Sequence, residues 1–296
     1  MTYEFVKNAP KPISENKYFP IVLGKLTELL NNNPSDEKKF QGFFEKNPCL
    51  VPGARDEFSR IGRPSGHGPY LDTLITQPNI TGIIKRKPDF MWIAYDSDVL
   101  VPVIIEIEAP SKKYFNKDGN PTAHFSKARH QLEEWQAILS RPENVFRFYE
   151  DFAIEDDLKN LRFEPHFILL YGRREEFKGD KILTQKRSFM KGANQTIMSY
   201  DRLSPARNKN FICCEVKNGK YFAKALSPTF HIGPYDDDLL CIQNLIAGID
   251  NMEFTTNERK SFLRKRIPYC LKFLEAEKKG GKAQIKRHGK DFQMYE

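Results

Sequence analysis

A β-hairpin predicted over residues 90–108 constrains the fold of this chain more than any other feature. The segments Phe90 to Tyr95 and Val99 to Glu108 are rich in β-branched and aromatic residues, a composition typical of β-strands. The three residues between them, Asp96 to Asp98, favour turns. The pattern therefore predicts two antiparallel strands joined by a short turn.

Acidic side chains converge on one face of this hairpin. Because successive strand residues point to opposite faces, Glu106 and Glu108 share a face. Folding the hairpin about its turn brings Asp89 opposite Ile105 or Glu106, within one residue of register. Like charges so close are tolerated if one is protonated, if water screens them, or if a cation binds between them. Oxygen ligands of this kind suit magnesium, whereas a solvated sheet face is the other interpretation.

The composition favours a polyanionic partner but does not require one. The 296 residues include 47 Lys plus Arg and 39 Asp plus Glu, for a formal net charge of +8. A basic surface attracts polyanions, although it is also compatible with simple solubility. The cysteines show no C-x-x-C spacing, which argues against a zinc site and a disulfide framework.

The hydropathy pattern predicts a cytoplasmic protein without a membrane partner. The first residues carry charges and prolines in place of an apolar core, unlike a signal peptide. No apolar run reaches the ~18 residues that a membrane helix needs. The sequence therefore predicts a soluble protein.

Segments along the chain resemble one family of nucleases. Pro88-Asp89, a spacer of hairpin length and Glu106-Ile107-Glu108 look like the motif of the PD-(D/E)XK nuclease superfamily. The flanks resemble the Shedu nucleases of bacterial anti-phage defence within that superfamily. The similar flanking segments are Phe40 to Pro48, Gln131 to Trp135, Tyr171 to Arg173, and Ser199 to Leu203.

The resemblance implies an α/β fold with a PD-(D/E)XK restriction-endonuclease-like core, in which helices flank a mixed β-sheet. We expect an N-terminal helical segment over 1–64, the nuclease core over 65–205, and an α+β extension over 206–296. The extension would pack on the core or form an oligomer interface. The implied activity is a DNA endonuclease that uses Mg²⁺ or Mn²⁺, cuts double-stranded phage DNA and forms a homo-oligomer.

The family pattern also implies roles for individual residues. Asp89 and Glu106 would ligate the metal together with the main-chain carbonyl of Ile107, and Gln131 would contact DNA or the metal-bound water. Glu108 stands where the family usually has lysine, and it would orient that water, accept its proton or ligate a second metal. As an alternative, Gln131 is ordinary packing on an amphipathic helix.

Cations precede and follow the acids. Lys85, Arg86 and Lys87 could neutralise DNA phosphates beside a cleavage site. Lys112 and Lys113 follow the hairpin and are also candidate DNA contacts. Either could reach into the site and supply the charge that a lysine at position 108 would have carried. For Lys85, Arg86 and Lys87, a solvated run of charges is the alternative.

Two other functions fit the same sequence. A nuclease fold that lost hydrolysis when glutamate replaced lysine at position 108 would be a DNA-binding or sensing module. A structural subunit would use the basic surface to recruit a partner protein. Metal-dependent nicking of DNA distinguishes the nuclease from both.

Turn and periodicity signals predict the remaining elements. A helix beginning with Ser35 as its N-cap precedes Pro48. A buried strand spans 166–171, and Asn218-Gly219 predicts a second hairpin. Helices are predicted over 239–249 and 257–279, the latter broken or kinked at Pro268.

Overall fold

The computed structural model describes residues 2–54, 69–80, 87–207 and 210–280, together with the backbone of 284–285. Two of the predicted DNA contacts, Lys85 and Arg86, lie outside the described residues. Residues 55–68 also lie outside them.

Helices and strands alternate along the chain. The helices are α1 (Glu15–Asn32), α2 (Glu37–Lys46), α3 (Ala123–Leu139), α4 (Pro142–Asp151), α5 (Asp156–Lys159), α6 (Lys181–Phe189), α7 (Leu245–Asp250) and α8 (Asn257–Lys278). The strands are β1 (Thr2–Tyr3), β2 (Thr73–Thr76), β3 (Phe90–Tyr95), β4 (Val99–Ile107), β5 (Arg162–Phe163), β6 (His166–Leu170), β7 (Gln195–Met198), β8 (Ile212–Lys217), β9 (Lys220–Leu226), β10 (Ile242–Gln243) and β11 (Gln284–Ile285). Among the described residues, no helix combines the length and apolar character needed to cross a membrane.

A mixed sheet forms the centre of the molecule. Its nine strands in the described residues follow the order β10-β9-β8-β2-β3-β4-β6-β7, with β5 also paired to β4. Strand β3 runs antiparallel to both of its neighbours, β2 and β4, whereas β4, β6 and β7 are parallel to one another. Helices cover both faces, so the predicted α/β fold with a mixed, helix-flanked sheet is confirmed.

The predicted hairpin is present as β3 and β4. Its turn closes through Asp96, whose main-chain N–H donates to the carbonyl of Val99 at 3.0 Å. The register pairs Tyr95 with Leu100 and Phe90 with Ile105. Continuing it by one residue sets Asp89 opposite Glu106, which is within the range that the sequence predicted.

Strand β4 is buried on both faces, which explains its continuous apolar composition. Val103 and Ile105 pack in a cluster with Phe40 and Phe44 of α2. Ile104 packs in a second cluster with residues of α3. The hairpin therefore lies between two helical layers that fix its position.

The C-terminal part of the chain extends the same sheet. Strand β8 pairs in parallel with β2, and β9 and β10 continue outward from it. Buried residues of α8, including Leu263 and Phe273, belong to the same core cluster as α3. The sheet therefore continues across the boundary predicted at 205/206.

Three local predictions were wrong because of contacts with distant parts of the chain. Asp36, not Ser35, caps α2 and accepts from the Lys39 N–H at 3.2 Å, because the Ser35 hydroxyl bonds instead to Ser111. In place of one helix over 239–249, a short 3₁₀ turn leads into β10, which pairs with β9 before α7 begins. Helix α8 runs unbroken past Pro268, since buried residues on both sides hold it against the core.

Candidate active site

The carboxyl groups of Asp89 and Glu106 form a contacting acid pair at the end of the hairpin. The Oδ2 atom of Asp89 accepts a hydrogen bond from the Ile107 N–H at 2.8 Å. The Oε1 atom of Glu106 accepts one from the Trp135 indole N–H at 2.6 Å. Glu106 is buried, with 6% of its surface exposed, and Asp89 is half-buried. Each acid is therefore oriented by a neutral donor, and no cation within the described residues bonds directly to either.

The environment of the acid pair favours protonation. Burial raises the pKa of Asp89 to about 7, and nearby Glu37 and Glu108 add to this, although the Ile107 N–H opposes it. Burial also raises the pKa of Glu106 well above its ordinary value, with repulsion from Asp89 as the next cause. In the absence of a cation, the two acids therefore share a proton near neutral pH.

Glu108 lies beside the acid pair but bonds to a cation. The Lys112 ammonium donates a hydrogen bond to the Glu108 carboxylate, and it lies 3.6 Å from Oε2 of Glu37. Burial alone would lower the pKa of Lys112, but these two carboxylates raise it. Lys112 therefore stays positively charged within reach of the acids.

The main chain of Glu108 is fixed from two directions. Its N–H donates to the carbonyl of Leu170 at 2.9 Å, and its carbonyl accepts from the Tyr200 hydroxyl at 2.9 Å. The Tyr200 ring packs edge-on against Phe40, with 5.0 Å between centroids, and stacks on Phe44. Two segments far apart in sequence thus position the end of β4.

Gly172 allows the loop after β4 to approach β6 closely. Its φ of 59° lies in the left-handed region, and an added Cβ would be 2.8 Å from the carbonyl oxygen of Lys112. The next residue, Arg173, pairs with Asp201 at 2.8 Å. Two of the segments that resemble the family, Tyr171 to Arg173 and Ser199 to Leu203, therefore contact each other, and the first lies against the loop that carries Lys112.

We expect Gly172→Ala to destabilise the fold by about 2–5 kcal/mol, the sum of left-handed strain and a steric clash. Gly179→Ala is the matched control, because Gly179 has a φ of 88° but open space around it. Its cost should be limited to about 1–2 kcal/mol. Urea denaturation of both variants measures the difference, and equal losses would show that the approach to Lys112 is unimportant.

The other predicted site residues described by the structure are Gln131, Lys113 and Lys87. Gln131 is half-buried on α3, one turn before Trp135. Lys113 is exposed, and its carbonyl accepts from the Thr122 hydroxyl at 2.7 Å. Lys87, two residues before Asp89, is also exposed. Among these cations, Lys112 alone is bonded to an acid of the site within the described part of the chain.

The sequence did not point to Glu37 or to the orienting role of Trp135. Glu37 lies in the first turn of α2, where an acid is common at any helix start. Another unforeseen neighbour is Gln41, whose amide nitrogen donates to the Asp89 carbonyl at 3.4 Å. Its buried Oε1 atom has no hydrogen-bond partner among the residues that the structure describes. No local sequence signal marks these contacts, because they join residues from separate elements.

The acids do not form a ready-made cage of side chains. Within the ranges that the structure describes, no group of three His, Cys, Asp or Glu side chains is arranged to hold a metal ion. The Glu108 carboxylate accepts a hydrogen bond from Lys112. The side chains that could together ligate a metal ion are therefore the two carboxylates of the acid pair.

Comparison with known proteins identifies the family. The model of the family described as Shedu protein SduA, C-terminal, matches residues 34–204, more than half of the chain. A search of the curated proteins finds no match. The matched range contains the acid pair, Lys112, Gly172 and Tyr200. The chain therefore belongs to the Shedu SduA family, and this membership supports a defence-related role.

Proposed function

We propose that this chain is a metal-dependent DNA endonuclease acting in the cytoplasm against phage. The observation that carries the proposal is the acid pair: two carboxylates in contact, with raised pKa values, near Glu108 and the lysine bonded to it. Paired acids with strongly shifted pKa values are typical of functional sites. A purely structural role would not require like charges to be held together.

The donor set fits a hard divalent cation. Asp89 and Glu106 would hold Mg²⁺ or Mn²⁺ through carboxylate oxygens, with the Ile107 carbonyl as a third ligand. Mg²⁺ commonly binds through one or two carboxylates and keeps several waters, so a complete side-chain cage is not required. A bound cation would also relieve the repulsion within the acid pair. When bound, the metal would act as a Lewis acid that lowers the pKa of water and neutralises phosphate charge.

The surrounding residues hold these groups in place for hydrolysis. The Ile107 N–H and the Trp135 indole fix one oxygen of Asp89 and of Glu106 respectively. The Lys112 ammonium would stabilise the negative charge that develops on the phosphate oxygens. In the reaction, a water oxygen bonds to phosphorus, the bond to the leaving oxygen breaks, and that oxygen gains a proton.

Glu108 would act through Lys112 in this arrangement. Its carboxylate and that of Glu37 position the ammonium on two sides. This assigns the charge of the family lysine to a residue four positions later in the chain. The roles considered from the sequence alone, a second metal ligand or a proton acceptor, remain the alternatives that the variants below distinguish.

Purified protein should nick supercoiled plasmid with Mg²⁺ or Mn²⁺, and EDTA should abolish the activity. The Asp89→Asn protein, prepared in parallel, controls for contaminating nucleases. Intact plasmid together with salt-sensitive DNA binding would instead favour the DNA-binding module. Neither cleavage nor binding would favour the structural subunit.

A further inference from the structure

An exposed and acid-free helix lies on the loop that leaves the acid pair. Helix α6 contains no buried residue. The stretch 181–191, read as KILTQKRSFMK, carries four cations and no acid. Such a concentration of one charge on a surface favours a partner of opposite charge.

The two faces of α6 differ. On the inner face, Leu183 and Met190 pack against the core. The Arg187 guanidinium lies over the Phe177 ring, 5.1 Å from its centroid. Ile182 and Phe189, seven residues apart and therefore on a common face, are 67% and 86% exposed. The outer face thus presents apolar groups to solvent between cations.

The lysines of this surface are available to a partner. Lys181, Lys186 and Lys191 are exposed, and in the part of the chain that the structure describes none of them forms an ion pair. The Lys186 ammonium donates to the Gly119 carbonyl at 3.0 Å. Their charge is therefore not neutralised within the described fold.

Contacts tie α6 and the turn before it to the segment after Lys112. The Glu176 carboxylate accepts from the N–H groups of Tyr114 and Phe115 at 3.0 and 2.9 Å. The Lys186 contact with Gly119 and the Arg187 guanidinium over the Tyr114 ring at 5.8 Å involve the same segment. The surface is consequently fixed to the loop that positions Lys112.

We propose that the outer face of α6, together with Lys191 just after the helix, binds DNA through its phosphates and through an unpaired base. This α6 platform consists of Lys181, Ile182, Lys186, Phe189 and Lys191. The lysines would contact phosphates, and Phe189 would stack on a base exposed at an end, gap or opened site. Cations combined with exposed aromatic side chains are the usual means of binding single strands.

Charge also argues against a second copy of the chain as the occupant. A two-fold contact through the platform would set lysines of one copy against lysines of the other. Such a juxtaposition of like charges is unfavourable. The inference rests on the proposed function for its choice of DNA, but binding can be measured without cleavage.

The test is fluorescence anisotropy of the full chain with two labelled oligonucleotides, one single-stranded and the other a blunt-ended duplex. Binding is measured in EDTA over a range of salt concentrations. We expect Phe189→Ala to weaken single-strand binding by roughly tenfold or more, as loss of one stacked base does, with a smaller effect on the blunt duplex. Changing Lys181, Lys186 and Lys191 to glutamine should reduce the slope of log affinity against log salt by about two units on a single strand.

Matched controls separate local from general effects. Phe146→Ala removes another exposed phenylalanine, on α4, 69% exposed, and should leave binding unchanged. Lys265→Gln with Lys272→Gln removes exposed cations of α8 and should change the salt slope much less. Platform variants that bind both oligonucleotides like the parent would overturn the proposal. Binding to anionic lipid vesicles is measured as well, and a Phe189→Ala protein that loses affinity for vesicles but not for DNA would also overturn it.

The two proposals fail in different ways. If the parent protein cleaves plasmid but the platform variants bind and cleave normally, only the platform is refuted. If the parent never cleaves but binds single strands through the platform, only the nuclease is refuted.

Discussion

Asp89→Asn and Glu106→Gln should each lower the rate of plasmid cleavage by on the order of a thousandfold or more, as loss of an essential charged group does. Both changes preserve shape and leave an oxygen that can accept the Ile107 or Trp135 N–H bond. They remove the charge that would bind the cation. Initial rates of nicking at saturating Mg²⁺ measure the effect.

The same Asp89→Asn change should stabilise the metal-free protein at high pH. Because the folded pKa of Asp89 is raised from 3.8 to about 7, the folded state binds more protons than the unfolded state between these values. Stability contributed by protonation is therefore present at pH 4 and is lost as the pH rises through 7. Asparagine avoids that loss, so we expect a gain on the order of 2 kcal/mol at pH 8 and little at pH 4. Denaturation in EDTA at both pH values provides the measurement.

Asp201→Asn is a control with the opposite expected sign. Burial raises the pKa of Asp201, but hydrogen bonds from the Arg173 side chain and the Arg174 N–H outweigh it and lower the pKa overall. Asp201 therefore stabilises the fold when ionised, and its loss should cost stability at pH 8. If Asp89→Asn lowered stability in the same way, the acid pair would be an ordinary structural network. Normal cleavage by Asp89→Asn would show that the metal site lies elsewhere.

Lys112→Met should lower kcat by on the order of a hundredfold, a loss typical of removing one group that stabilises transition-state charge. Lys113→Met is the comparison within the same loop. Lys113 is exposed and makes no ion pair within the described residues, so its loss should raise KM and leave kcat nearly unchanged. Steady-state cleavage of a short duplex separates the two parameters. Equal effects of the two variants on KM alone would reduce Lys112 to one phosphate contact among several.

A double-variant cycle then assigns the role of Glu108. If Glu108 acts by positioning Lys112, Glu108→Gln should cost much less than Asp89→Asn and should have little further effect in the Lys112→Met background. If Glu108 ligates a second metal or accepts a proton, Glu108→Gln should be as damaging as Asp89→Asn, and the two losses should multiply. Glu108→Lys would test whether a lysine at this position can replace Lys112.

Local rules were sufficient to predict the hairpin and the approach of Asp89 to Glu106. A short turn and the alternation of strand residues determine which side chains share a face, so residues seventeen positions apart could be placed together from sequence. The strand at 166–171 and the hairpin around Asn218-Gly219 were recognisable for similar reasons. The N-cap of α2, the unbroken α8 and strand β10 were not, because contacts with distant residues outweighed their local preferences.

The sequence by itself thus determined the sheet centre and the acid pair, while the tertiary structure decided what surrounds that pair. Trp135 of α3 contacts Glu106, and Glu37 of α2 contacts Lys112. Tyr200, in a short 3₁₀ turn after β7, contacts the carbonyl of Glu108. No spacing rule relates these residues, since their proximity arises from the packing of whole helices on two faces of one sheet. The pKa values of Asp89 and Glu106 depend on the same packing, because burial, their largest cause, exists only after the layers have assembled.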